Sequence, residues 1–113
     1  MKYVLLFGGT MEPEDRAKNP ALAAAYERIN QWFDEYGRAG KIVGGHELQG
    51  PQTATTVRFK DGKPMVVDGP FIEAKEVIGG YAELEVEDLD EALQIAKTWP
   101  GGTSVEVRPI VES

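Results

Sequence analysis

The chain has 113 residues, a formal net charge of −7 and no cysteine, which bounds it to one domain with a single core and removes disulfides, thiolate catalysis and cysteine-ligated zinc. So acidic a surface argues against non-specific nucleic-acid binding, which rests on basic side chains meeting phosphates. No stretch is apolar for the length of a membrane span and Met1-Lys2-Tyr3 begins directly as a strand without an export signal, so a soluble cytoplasmic protein is expected.

Tyr3-Val4-Leu5-Leu6-Phe7 is a short continuous apolar run that stops at Gly8-Gly9. Apolar side chains on both faces suggest a central strand covered on both sides. Thr10 to Lys18 is polar and reads as a loop. Asn19-Pro20 is a helix start, with Asn as N-cap and Pro in the first helical position. The helix that follows keeps Leu22, Tyr26, Ile29, Phe33 and Tyr36 on one stripe, bordered by Trp32, and Gly37 and Gly40 supply its stop.

Lys41 to Gln49 reads as a strand whose central Gly44-Gly45 suggests a bulge, or a close approach by another backbone or a ligand. Gly50-Pro51 turns the chain. Thr53 to Lys60 and Lys63 to Val67 form a hairpin about Asp61-Gly62. Ile78 to Glu87 alternates strictly, with Ile78, Gly80, Ala82, Leu84 and Val86 on one face and Tyr81, Glu83, Glu85 and Glu87 on the other. Asp88 caps a second helix, Glu91 stands where it completes a capping box, and Leu89, Ala92, Leu93, Ala96 and Trp99 make the buried stripe. Pro100-Gly101-Gly102 ends that helix, and Thr103 to Val111 is the last strand.

The order is β-α-β, a hairpin, then β-α-β, an α+β chain of ferredoxin-like pattern with an inserted hairpin. Each helix has one apolar stripe, so both pack on one face of an antiparallel sheet. The other face carries either Tyr3, Leu5 and Phe7 or Val4 and Leu6, too apolar for water. Covering it with the sheet of a second copy gives a homodimer, a dimeric α+β barrel.

The stretch from Val66 to Tyr81, VVDGPFIEAKEVIGGY, reads as strand, rigid turn, charged loop and strand. Pro70 fixes its own φ and drives Gly69 out of the α region. DGPF, followed by Glu73-Ala74-Lys75-Glu76 and by Gly79-Gly80-Tyr81, resembles the signature of the YCII-related, or DGPF-domain, proteins. Asp88 to Ala92 and Val105 to Ile110 resemble the same family, so the likeness covers nearly the whole chain. It implies the dimeric α+β barrel and leaves activity open, because the family is largely uncharacterised. Some relatives are thought to use a histidine–aspartate pair. Genes of the family often lie beside extracytoplasmic-function sigma factors, so the resemblance also admits a regulatory protein with a partner in a sigma-factor pathway and no catalysis. At the level of fold it extends to isomerases such as muconolactone isomerase and to monooxygenases that need no cofactor.

His46 is the single histidine, the side chain whose ordinary pKa lies nearest neutrality. Beside Gly44-Gly45 it is either an ordinary strand histidine or, paired with a carboxylate, a proton carrier. Asp68 is the first partner considered and Glu83 or Glu85 the second. Asp68 also suits the turn before Gly69-Pro70 with no further task. Phe71 reads as an aromatic plug in the core or the dimer interface, or as part of a ligand cleft near the DGPF turn. Glu73, Lys75 and Glu76 make either a solvated loop or a rim that recognises a polar ligand or the second subunit. Arg108 pairs across the ladder with Glu83 or Glu85 if their strands are neighbours, or orients a ligand carboxylate inside the barrel, where Tyr81 adds a hydroxyl.

Other chemistries find little support. One histidine without cysteine or a spaced acidic loop makes a poor metal site. Gly8-Gly9-Thr10 lacks the rest of a phosphate loop, Ser104 and Ser113 sit in no nucleophile elbow, and no dinucleotide fingerprint occurs. No cofactor is called for. The function expected is binding of a small polar molecule, with a histidine–carboxylate pair available for acid–base work.

Overall fold

The opening apolar run becomes strand β1, Lys2–Gly8, at the centre of the sheet in a computed structural model that describes residues 1–9, 18–69, 77–101 and 104–112. Helix α1, Pro20–Arg38, follows. Strand β2, Ile42–Glu47, precedes a 3-10 turn at Pro51–Thr53 and the hairpin of β3, Thr55–Lys60, with β4, Lys63–Asp68. Strand β5, Ile78–Glu85, helix α2, Leu89–Lys97, and strand β6, Val105–Pro109, complete the chain. The main sheet has the order β2-β5-β1-β6, antiparallel at every pairing, while β3 and β4 form a separate two-stranded sheet.

Alternation along β1 decides which face is the core. Tyr3, Leu5 and Phe7 are buried, and they stand opposite Leu84, Ala82 and Gly80 of β5. Trp32 from α1 and Ala92 and Ile95 from α2 join the same cluster, so both helices lie on this face. Leu5 and Leu84 are fully buried, and burying each such side chain contributes about 1.5–3 kcal/mol. The other face carries no helix among the described elements. It presents half-buried Val4, Leu6 and Tyr81 and exposed Glu83, Glu85, Glu106 and Arg108.

The caps follow local chemistry. The Asn19 side chain accepts the Ala21 N–H at 3.0 Å, with Pro20 next to it, and this satisfies one of the free donors of the first turn. Gly40, at φ 76°, takes the left-handed position after the α1 C-cap. Gly37 stays inside the helix rather than ending it. At α2 the Asp88 carboxylate accepts the Glu91 N–H at 2.9 Å, but Glu91 reaches back one residue beyond the cap, to the N–H of Glu87 at 2.9 Å. Lys41 meets the other carboxylate oxygen of Glu91 at 3.0 Å.

Two helix stripes differ from expectation. On α1 the buried residue is Trp32, while Phe33 and Tyr36 only flank the core. The indole N–H of Trp32 donates to the Thr98 hydroxyl at 2.8 Å, and that hydroxyl donates to the Ile95 carbonyl at 2.7 Å, which ties α1 to the end of α2. On α2 the stripe runs through Ala92, Ile95, Ala96 and Trp99, at helical spacing, and Leu89 in the first turn is exposed. No described helix is long and apolar enough to cross a membrane.

Candidate functional site

The glycine pair in β2 does what its position suggests. The ladder with β5 shifts register between Ile42 and Gly44, and Gly45 has φ 147°. A β-carbon at Gly45 would lie 2.4 Å from the Tyr81 carbonyl oxygen, so the close neighbour is the backbone of β5. This bulge sets the faces of the next two residues. His46 pairs with Tyr81 and Glu47 with Gly80. His46 therefore shares the open face with Tyr81, their rings edge to face at 6.1 Å. Glu47 shares the helix face with Gly80, where a β-carbon would meet Phe7 at 3.7 Å.

The other predicted residues fall in several places. Glu83 is exposed on the open face, its carboxylate against Gly44. Arg108 does not pair with Glu83 or Glu85, because β1 runs between β5 and β6, and Val4 stands opposite both Glu83 and Arg108. Its guanidinium instead lies 3.7 Å from Glu106, two residues along its own strand. Asp68 ends β4 opposite Thr55 and is exposed. Among the described residues, no hydrogen bond or ion pair joins His46 to Asp68, Glu83 or Glu85. Phe71, with Glu73, Lys75 and Glu76, lies outside the described residues.

A cavity of about 600 Å3 opens on the helix side of the sheet, within the usual range for small-molecule sites. Its floor is Phe7, Gly8 and Gly9 at the end of β1, with Gly79 and Gly80 of β5 and the Gly45-His46-Glu47 segment of β2. Ala25, Tyr26, Ile29, Asn30 and Phe33 of α1 form one wall, and Trp99, Pro100 and Gly101 form the back. The abundance of glycine on the floor leaves room that side chains would fill. The upper half of the α1 stripe is only half-buried for the same reason: it faces this space rather than packed core.

Trp99 is held firmly. Its ring stacks on Phe7 at 3.9 Å between centroids and meets Trp32 edge-on at 5.1 Å. A β-carbon at Gly101 would come within 2.8 Å of the indole, so glycine lets the chain pass this close. The indole N–H is buried without a hydrogen-bond partner among the described residues.

The polar end of the cavity is a pair that sequence reading missed. The Tyr26 hydroxyl donates to the Glu47 carboxylate, joining the second turn of α1 to the end of β2. A carboxylate so placed accepts hydrogen bonds from, and attracts, a donor or cation in the cavity, while Phe7, Ile29, Phe33 and Trp99 give an apolar and aromatic lining. A signal did exist: Glu47 alternates with Gly45 onto the helix side of the sheet, where it is exposed, and Tyr26 lies on the helix stripe. Only the sheet order and the bulge bring them together. Among the described residues, no group of three or more histidine, cysteine, aspartate or glutamate side chains is arranged to hold a metal ion.

The YCII-related domain family matches residues 1–113, and the chain belongs to that family. It is also similar to an uncharacterised protein of Rhizobium meliloti (strain 1021), with 38% identity over 80 residues that span 67% of this chain. The match covers 64% of that relative's length.

Proposed function

We propose that this YCII-related protein binds a small molecule in the helix-side cavity, with an apolar or aromatic body against Phe7, Ile29, Phe33 and Trp99 and a hydrogen-bond donor or cationic group at Glu47. The observation that carries the reading is the Tyr26–Glu47 pair on the wall of a cavity whose other side chains are mostly apolar. Tyr26 holds the carboxylate of Glu47 at the cavity wall, which fixes its position for a ligand donor. Proton transfer, where the ligand offers an acidic proton, falls to Glu47 with Tyr26 as its hydrogen-bonded neighbour. His46 lies on the same strand but turns its ring to the opposite face, beside Tyr81.

The same reading takes the fold as ferredoxin-like and the assembly as a homodimer closed through the open sheet face. The order β2-β5-β1-β6 and the placement of both helices on one face support the first. Half-buried Val4, Leu6 and Tyr81 on the face without helices support the second.

A titration followed by tryptophan fluorescence tests the site, because Trp99 is part of the cavity wall. Benzylamine and phenol offer a donor on an aromatic body, and benzoate offers an anion of similar size. The amine and the phenol should change the emission saturably, and the change should be lost in Trp99→Phe. Benzoate binding as well as benzylamine would contradict the assignment of Glu47 as the recognition group.

A further inference from the structure

Besides His46, whose ring is turned to the other face of the sheet, three polar side chains line the cavity: Tyr26, Asn30 and Glu47. Tyr26 and Glu47 are bonded to each other. Asn30 stands four residues after Tyr26 on α1, one turn along the same wall. Its carboxamide makes no hydrogen bond among the described residues.

Nothing in the fold calls for asparagine at this place. It sits in the middle of a 19-residue helix, far from either cap, where it forms helix less readily than alanine or leucine because its side chain competes for nearby backbone groups. It also interrupts the stripe that Tyr26, Ile29 and Phe33 make on the cavity wall. Exposure gives the cavity a direction. Asn30 and Glu47 are exposed, Phe33 and Trp99 are half-buried and Phe7 is buried, so a polar mouth leads to an aromatic end. No lysine or arginine lies among the described lining residues, and Glu47 carries their one fixed charge. A ligand group that meets Asn30 beside that carboxylate is therefore neutral, because an anion there would be repelled without a cation to hold it.

We propose that the cavity selects aromatic vicinal amino alcohols, with the ring toward Phe33 and Trp99, the ammonium at Glu47 and the hydroxyl at Asn30. The inference rests on the cavity reading above and adds the second polar contact, which sets the ligand class. A hydroxyl both donates and accepts a hydrogen bond, as the carboxamide of Asn30 does. Side chains four apart on a helix begin about 5–6 Å from each other, so Asn30 and the Tyr26–Glu47 pair stand within the span of one small head group. Asn30 belongs to one wall only. A single enantiomer can then bring its hydroxyl to Asn30 while the ring and the ammonium keep their places, and Asn30 becomes the residue that reads the handedness of the ligand.

Isothermal titration of the full chain with 2-phenylethylamine and with each enantiomer of 2-amino-1-phenylethanol tests the assignment. One enantiomer should bind the unaltered protein roughly three- to tenfold more tightly than the other and than 2-phenylethylamine, the worth of one neutral hydrogen bond. Asn30→Ala, a change to a better helix former at an exposed position, should bring the two enantiomers to equal affinity, an effect that a merely structural role for Asn30 would not produce. If 2-phenylethylamine binds but the enantiomers do not differ, or if their difference survives in Asn30→Ala, the role of Asn30 and the ligand class are overturned while the cavity reading stands. If neither 2-phenylethylamine nor the amino alcohols bind the unaltered protein, both are overturned.

Discussion

Replacing Gly45 with alanine should cost more than any surface change in this chain, and its magnitude follows from the bulge geometry. The added β-carbon would sit 2.4 Å from the Tyr81 carbonyl oxygen and 2.9 Å from the Ala82 α-carbon, both backbone atoms in the interior of the sheet. Favourable carbon contacts lie near 3.5–4.0 Å, so β2 would have to withdraw by about 1 Å. That displacement breaks the ladder beside His46 and Tyr81, and φ at this position, 147°, is one that alanine rarely adopts. Overpacking at about 1–3 kcal/mol and backbone strain of similar size give a loss of about 3 kcal/mol. For a domain of this size that is roughly 15 °C in Tm. Gly37 provides the control. It lies in α1 with nothing within 4 Å of its would-be β-carbon, so Gly37→Ala should stabilise by about 0.5–1 kcal/mol through helix propensity. Urea unfolding followed by tryptophan fluorescence measures both. A Gly45→Ala loss below about 1 kcal/mol, less than the smallest sum of these terms, would refute the close-approach argument. The same variant should bind benzylamine more weakly even when folded, because the displaced strand carries Glu47.

Three further outcomes follow from the caps and the core. Asn19→Ala should lower stability by about 1 kcal/mol in urea unfolding, because the Ala21 N–H loses its acceptor. Glu91 titrates below the ordinary glutamate range, held there first by the Glu87 N–H and then by Lys41. A lowered folded-state pKa means that its contribution is complete above the unfolded value and disappears as pH falls through the folded one. Wild type and Glu91→Gln should accordingly differ in urea midpoint at neutral pH and converge in acid, and carbon-detected NMR should place the Glu91 midpoint below that of an unstructured peptide. Trp32→Phe removes the donor to Thr98 and leaves a smaller ring in the core; it should destabilise by about 1–3 kcal/mol in calorimetry.

Local chemistry was the most legible level of this chain. Asn19-Pro20, Asp61-Gly62 and Asp88 announce a helix start, a hairpin turn and a second cap, and each is found where the sequence puts it. The strict alternation of β5 separates Ala82 and Leu84 from Glu83 and Glu85, and the burial follows it. Periodicity placed the stripe on α1 but not its deepest member. Trp32 is buried against Phe7 and Trp99, and Thr98 at the end of α2 satisfies its N–H, a contact between residues 66 apart in sequence. The pairing of Arg108 with Glu83 or Glu85 required β5 and β6 to be neighbours, and β1 lies between them, since strand order depends on packing and not on alternation. The Tyr26–Glu47 pair is not legible in the sequence for a related reason: the bulge at Gly44 and Gly45 shifts the register before Glu47, and the sheet order sets which helix residue it meets. The identity of the family was legible from DGPF and the residues after it, although that segment itself, residues 70–76, lies outside the described residues.

The most direct test of the cavity assignment is the dissociation constant of benzylamine for the wild-type chain and for Glu47→Gln, measured by isothermal titration at one pH and salt concentration. A charge-assisted hydrogen bond contributes about 1.5–3 kcal/mol, so the variant should bind roughly ten- to a hundredfold more weakly. Equal affinity for the two proteins would contradict the account, because the carboxylate that organises the site would then play no part in binding.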